Sequence, residues 1–264
     1  MKHKSLSDFV DDLQAGGRYT FTKDEAKDAL GVSDLALKFA LERLFKKRRL
    51  VMVGQKFYVS VPLEYHTSGI LPATWFIEDF MRFIGRPYYV GFLSAAAIHG
   101  AAHQQPQEFH VITEQPKRDI EASDLRIRFF MKSGMERTPV VRVKTETGSI
   151  RVSTPAATAI DLVRYEARIG GINRTVTVLQ ELADSIKGRE LLKAAKLEKK
   201  LAYVQRLGYL LEKVGRGDVV SSLACWIPSR GPSMVALKPG LRQKGFHRDR
   251  RWNVIENIEV EGEL

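Results

Sequence analysis

TKDEAKDALGVSDLALKFALERLFKKRRL, Thr22 to Leu50, is the stretch on which the fold of this chain turns. Thr22 followed three residues later by Glu25 is a capping box: the hydroxyl accepts the Glu25 N–H, and the Glu25 carboxylate reaches back to the Thr22 N–H. It predicts a helix over Lys23 to Leu30. Gly31-Val32-Ser33 is the turn, because glycine supplies the conformation that stops a helix and a serine oxygen caps the next one. That next helix is expected from about Asp34 to Lys47, with Leu37, Leu41 and Leu44 at core spacing. On the N-terminal side, Met1 to Gly17 reads as a helix with Leu6, Phe9, Val10 and Leu13 on one face. On the C-terminal side, Leu50 to Val61 alternates as two short strands around Gly54-Gln55. Three helices and a hairpin in this order fit a winged helix-turn-helix, a DNA reader whose third helix lies in the major groove while the hairpin touches the backbone.

That geometry nominates residues. Ser33 and Lys38 lie in the first turns of the third helix, and Arg43 follows one turn later. Lys46, Lys47, Arg48 and Arg49 end the helix beside the wing, where phosphates are expected. Gln55 and Lys56 form the wing tip. Thr22 and Lys23 offer a hydroxyl and a backbone N–H to a phosphate at the start of the second helix. The ordinary alternative for Lys46 to Arg49 is a solvated helix end favoured by the dipole.

Composition agrees with a polyanion partner without choosing one. The 264 residues carry a formal net charge of +11, a surplus that favours DNA, RNA or an acidic membrane surface. The single cysteine, Cys225, excludes an internal disulfide and a cysteine-rich zinc module. No secretory signal is visible, and no apolar run approaches the roughly 18 residues a membrane span needs; the expected compartment is the cytoplasm, with no membrane partner.

Pro62 to Pro72 is punctuated by Pro, Ser and Gly. The reading is therefore a DNA-binding domain at 1–61, a linker at 62–73 and a second domain at 74–264. In the second domain Thr74 is placed to cap a helix from Trp75 to Ile84, and Ser94 to Gly100 is a short alanine-rich helix. Glu108 to Thr113, Leu125 to Met131, Thr138 to Lys144 and Ser149 to Val152 read as strands. Thr154-Pro155 opens a helix, and Arg174 to Ser185, Gly188 to Ala195 and Lys199 to Val214 are helical. Ser221 to Leu264 is expected as strand and loop, its acidic tail from Glu256 to Glu263 as a strand with exposed carboxylates. The fold class is α+β: a winged helix-turn-helix followed by a mixed sheet-and-helix domain.

Several segments of the second domain resemble the antitoxin domain of AbiEi-type proteins. They are YYVGFLSAAAIHG, Tyr88 to Gly100, with its sequel Gln104-Gln105-Pro106; STPAATAIDLV, Ser153 to Val163; VQRLGYLLE, Val204 to Glu212; and RWNVIEN, Arg251 to Asn257, behind a Pro-, Gly- and Lys/Arg-rich loop. Their order, behind a winged helix, makes the resemblance specific, and it covers nearly the whole chain. It implies an antitoxin of a type IV toxin–antitoxin pair, of the kind first known from phage-abortive-infection systems. The winged helix would repress its own operon by binding inverted repeats in double-stranded promoter DNA, as a dimer or cooperative pair. The C-terminal domain would oppose a nucleotidyltransferase toxin without a stable complex. The DNA-reading residues above rest on geometry and not on family positions.

A second basic region runs through Lys193, Lys196, Lys199, Lys200 and Arg206, and a third through Arg242, Lys244, Arg248, Arg250 and Arg251. Each lysine alone reads as part of a solvated face. Their density points to an extended DNA footprint or to RNA, and the sequence does not separate the two. Signals for catalysis are weak. His99 and His103 have helical metal spacing but lack the glutamate of HExxH, and packing is the better reading of both, as of nearby His110. Glu198-Lys199-Lys200 matches the ExK of nucleases but lies in a helical pattern, where residues two apart do not share a face. No phosphate-binding loop or nucleophile elbow occurs. Cys225 beside Trp226 suits a buried thiol, and Asp161 a structural bond to backbone or to Arg164. No catalytic residue, metal or cofactor is expected. The rivals are a ligand-sensing transcription factor without a toxin and, more weakly, a nuclease.

Overall fold

Leu6, Phe9 and Val10 bury one face of α1 (Leu6–Ala15), whose first turn is capped by the Ser5 hydroxyl accepting the Asp8 N–H at 3.2 Å. This is a computed structural model describing residues 5–101 and 107–260; His103, Gln104-Gln105-Pro106, Glu261 and Glu263 lie outside the described residues. A short strand, β1 (Thr20–Thr22), precedes α2 (Lys23–Leu30) and α3 (Asp34–Lys46). The hairpin is β2 (Leu50–Gly54) and β3 (Phe57–Ser60). The sheet order is β1-β3-β2, all antiparallel, with Thr22 opposite Phe57 and Leu50 opposite Ser60. Leu37, Leu41 and Leu44 of α3 join the α1 residues, Phe21, Ala26, Leu50 and Tyr58 in one core. Each fully buried aliphatic of this kind contributes about 1.5–3 kcal/mol.

The expected helix from Trp75 to Ile84 is interrupted. Ala73–Trp75 forms a single tight turn, and α4 (Ile77–Phe83) starts at Phe76 with no side-chain cap, so Thr74 is not its N-cap. Packing accounts for the break: Trp75 is held edge-on between Tyr19 (5.2 Å) and Tyr65 (5.4 Å), while Phe80 of α4 meets Phe57 of the hairpin at 5.4 Å.

Further strands are β4 (Tyr88–Val90), β5 (Phe109–Thr113), β6 (Ile120–Ala122), β7 (Leu125–Met131), β8 (Val140–Thr145) and β9 (Gly148–Ser153), with α5 (Phe92–Ile98) between β4 and β5. Their order in one mixed sheet is β6-β7-β5-β4-β9-β8. β5 runs parallel to β7, β6 antiparallel to β7, and β4 parallel to β9.

Five helices follow: α6 (Pro155–Arg164), α7 (Gly171–Leu182), α8 (Gly188–Leu197), α9 (Leu201–Lys213) and α10 (Gly217–Trp226). Pro155 opens α6 behind the Thr154 cap, whose hydroxyl accepts the Ala157 N–H at 3.3 Å. Every residue of α6 from Ala156 to Val163 is buried, Asp161 included, because α5, α7, α8 and α9 all pack against it. Three expectations are corrected here. Ser221 to Trp226 is helix, not strand or loop: Val219, Val220 and Leu223 form the buried face of α10. Cys225 lies off that face and is exposed. The described part of the acidic tail, 256–260, is not strand; the last strand, β12 (Val254–Ile255), precedes it and pairs with β10 (Val235–Ala236) and β11 (Arg248–Asp249).

By its contacts the chain divides into two compact units. One holds 1–89, 107–132 and 142–151; the other holds 90–106, 133–141 and 152–264. Among the described residues no helix is long and apolar enough to cross a membrane.

Candidate nucleic-acid interface

The first unit places the helix-turn-helix by local bonds. Both halves of the capping box form: Thr22 Oγ1 accepts the Glu25 N–H at 3.2 Å, and Glu25 Oε2 accepts the Thr22 N–H at 2.7 Å. Gly31 adopts φ +65°, and Ser33 Oγ accepts the Ala36 N–H at 3.3 Å. The Lys23 N–H donates to the Lys56 carbonyl at 2.9 Å. That bond ties the wing tip to the start of α2 and engages the Lys23 N–H, which is therefore not a free donor. The Lys23 ammonium lies 3.0 Å from Asp34, which also receives Lys27 at 3.1 Å.

Charge on α3 falls into two groups. Lys38 sits near Glu42, one helical turn on, at 4.0 Å, and Arg49 is held by Asp11 and by Ser7 (2.8 Å), folding its charge into the domain. Arg43, Lys46, Lys47 and Arg48 are exposed and make no ion pair among the described residues. The end of α3 is a Schellman turn, with the Arg48 N–H on the Phe45 carbonyl and the Arg49 N–H on the Leu44 carbonyl, both 2.9 Å. Its left-handed position, usually glycine, is Arg48 at φ +54°. Lys56 at the exposed wing tip, beside exposed Gln55, is also left-handed, at φ +61°. A non-glycine residue costs about 1–2 kcal/mol in this region, so both turns carry a cation where glycine would be less strained.

The sequence reading missed two neighbours. Leu35 is 63% and Phe39 51% exposed on the outer face of α3, flanking Lys38. They fall outside the Leu37-Leu41-Leu44 stripe, and that offset was the available signal. Large apolar groups on such a face suit contact with thymine methyl groups.

In the second unit, the segments carrying the AbiEi resemblance meet in space. His99 Nε2 donates to the Ser153 carbonyl at 2.7 Å, joining the first two segments, and within the second the Ser153 and Thr158 hydroxyls lie 2.7 Å apart. That bond gives His99 a structural partner. Trp252, fully buried, lies on Gly208; its Nε1 donates to Glu212 at 2.5 Å, and Gln205 Nε2 donates to the Trp252 carbonyl at 3.0 Å, joining the last two. Asn257 closes the terminal loop through bonds to the Lys238 N–H (2.9 Å) and carbonyl (2.8 Å). Glu198 of the ExK triplet is almost buried, with Arg164 at 3.3 Å and the Lys200 N–H at 3.1 Å. Among the described residues no cluster of three or more His, Cys, Asp or Glu is placed to hold a metal.

The second basic region splits. Lys193 and Lys196 are exposed on α8, Lys199 is exposed before α9, and Arg242, Lys244, Arg248 and Arg250 are exposed in the terminal loop. Arg251 pairs with Glu212 at 3.0 Å. Lys200 and Arg206 instead turn to one aromatic ring, Tyr203, each 5.9 Å from its centre.

No curated protein matches the chain. A solved structure, the RV2827C protein from Mycobacterium tuberculosis, shares the fold with a TM-score of 0.67 at 14% identity, over 94% of this chain and 90% of that one. A nucleotidyltransferase-like antigenic protein from Paracoccidioides brasiliensis matches 57% of this chain and 90% of its own at TM-score 0.38 and 7% identity. The AbiEi antitoxin C-terminal domain matches residues 89–213, which contain three of the four quoted segments, and the fourth packs directly on them. Residues 89–213 therefore carry a domain of the AbiEi antitoxin type.

Proposed function

We propose that this chain is the autorepressing antitoxin of a type IV toxin–antitoxin pair. Residues 1–61 act as a winged helix-turn-helix on inverted repeats in the promoter, as a dimer or cooperative pair. Residues 74–264, beyond a linker at 62–73, counteract a nucleotidyltransferase toxin without a stable complex. The observation that carries the DNA half is the disposition of charge around α3: exposed Arg43, Lys46, Lys47 and Arg48 lead to a wing tip bearing Lys56, and two of these cations occupy strained left-handed positions. In this reading Lys38, Leu35 and Phe39 face bases, Ser33 and Gln55 support them, and the α3 end, Lys56 and Thr22 hold phosphates. Lys23 and Arg49 serve mainly to fix the geometry through Asp34 and Asp11.

About six phosphate contacts give a log–log salt slope near −5. Gel-shift titration on the chain's own promoter, across salt concentrations, measures it. Lys46→Ala should weaken specific and random DNA alike, and Lys38→Ala should relax base preference by about 1–3 kcal/mol at one position. Tight binding with a flat salt response, or equal effects of the two variants on both DNAs, would overturn the reading.

A further inference from the structure

Between α6, α7 and α9 in the second unit lies a half-open concavity of about 510 Å³. Its lining is mixed, with Val163, Ile172, Leu210 and Leu237 as apolar walls and four cations, Arg164, Lys200, Arg206 and Lys238, at its polar side. Two of the four are in ion pairs, one of them with Glu166, which also lines the concavity. Glu198 holds Arg164 at 3.3 Å, and Glu166 holds Lys238 at 2.6 Å. Lys200 and Arg206 make no ion pair among the described residues, although Glu166 acts on Arg206 through space. Arg206 donates its Nε to the Ala236 carbonyl at 2.8 Å, and its two terminal nitrogens make no hydrogen bond among the described residues. Burial pushes this guanidinium below its ordinary value, with Tyr203 and Glu166 acting the other way, and no carboxylate is bonded to it among the described residues. Three cations, Arg164, Lys200 and Arg206, gather around the Tyr203 ring at 5.4, 5.9 and 5.9 Å. The N-terminus of α9, 13 residues long, opens at the same place with no side-chain cap, and Ala202 and Tyr203 of its first turn line the concavity. The Lys200 N–H is bonded to Glu198 at 3.1 Å and the Tyr203 N–H to the Lys200 carbonyl at 3.1 Å, and the positive dipole end of the helix adds to the field.

Two cations outside any ion pair, beside the α9 N-terminus, match a phosphate dianion, and the apolar walls and the volume match the body of a small molecule. We propose that this concavity binds a small phosphomonoester with an apolar or aromatic body, its phosphate held by Arg206, Lys200 and the α9 N-terminus. The site is independent of the DNA-reading surface and gives the second domain a metabolite input.

Calorimetric titration of the full chain with AMP, inorganic phosphate and adenosine tests it. AMP is expected to bind at least tenfold tighter than adenosine, and inorganic phosphate to compete with it. Arg206→Gln and Lys200→Gln should each weaken AMP about tenfold, while Lys193→Gln, on the exposed face of α8, should not. Lys200 is exposed, so its variant keeps the test open should Arg206→Gln not fold. Equal binding of AMP and adenosine, wild-type affinity in a folded Lys200→Gln, or displacement of AMP by a short oligothymidylate at lower concentration than by phosphate would each overturn the proposal. The last outcome would assign the cations to a nucleic-acid backbone. None of these results depends on promoter binding, which is measured separately.

Discussion

The helix-turn-helix and the helical second unit are built on opposite principles. In the first, the decisive bonds span three to five residues: Thr22 with Glu25, Ser33 with Ala36, Leu44 with Arg49. In the second, they span tens of residues: His99 with Ser153, Gln205 and Glu212 with Trp252. Local bonds tolerate loss one at a time, because each satisfies one or two backbone groups at a helix end. A residue such as Trp252 joins an element to its unit, and its loss removes packing from several segments together.

The largest effect is therefore expected at Trp252. Trp252→Ala should cost about 3–5 kcal/mol and, by denaturant titration, lower the midpoint of the second unit's transition. Gly208→Ala attacks the same contact from the other side: a methyl group there would stand 2.1 Å from the Trp252 ring. It should cost about 1–3 kcal/mol, and its effect should shrink in a Trp252→Leu background, where the obstacle is smaller. Full additivity of the two would show that they do not share a contact.

Thr22→Ala removes one cap and should cost about 1 kcal/mol with the second unit's transition unchanged. Arg48→Gly sharpens the comparison differently. It relieves the left-handed strain at the α3 end, so stability should hold or rise by up to about 1 kcal/mol, while binding to all DNA sequences weakens. A loss of stability with DNA affinity retained would assign Arg48 to structure alone. The smallest effect concerns pH. Hydrogen bonds from Lys23 and then Lys27 hold the Asp34 carboxyl below the ordinary range. A lowered folded value means that this contribution is present above about pH 4 and lost as pH falls through the folded value. Asp34→Asn should lower the melting temperature at neutral pH, and the gap from the parent should close on acidification.

The same contrast explains what was legible beforehand. The capping box, Gly31, Ser33 and the Thr154-Pro155 start are read from neighbouring residues, and each formed as expected. α10 was not legible: GDVVSSLACW combines β-branched residues, serines and a glycine start, with no side-chain cap. It is helical because Val219, Val220 and Leu223 pack on α8 and α9, a tertiary fact that overrides propensity. Cys225 was misplaced for the same reason. The short strand β1 exists only through a partner distant in sequence, β3. Of the candidate DNA residues, the cations of the α3 end were readable as a run. Which of them is clamped, as Arg49 is by Asp11, depends on α1 and was not. Lys200 and Arg206 looked like members of a long basic face until Tyr203 and the concavity set them apart.

The central claim is that this chain neutralises a toxin, and a growth assay tests it most directly. The open reading frame adjacent to this gene is induced with and without co-expression of the full chain, and with a Lys46→Ala/Arg48→Gly variant expected to be impaired in DNA binding. The account predicts growth arrest by the neighbour, relief by the chain, and undiminished relief by the variant, because neutralisation resides in the antitoxin domain. A well-expressed neighbour that causes no arrest, or arrest that the chain does not relieve, would contradict it.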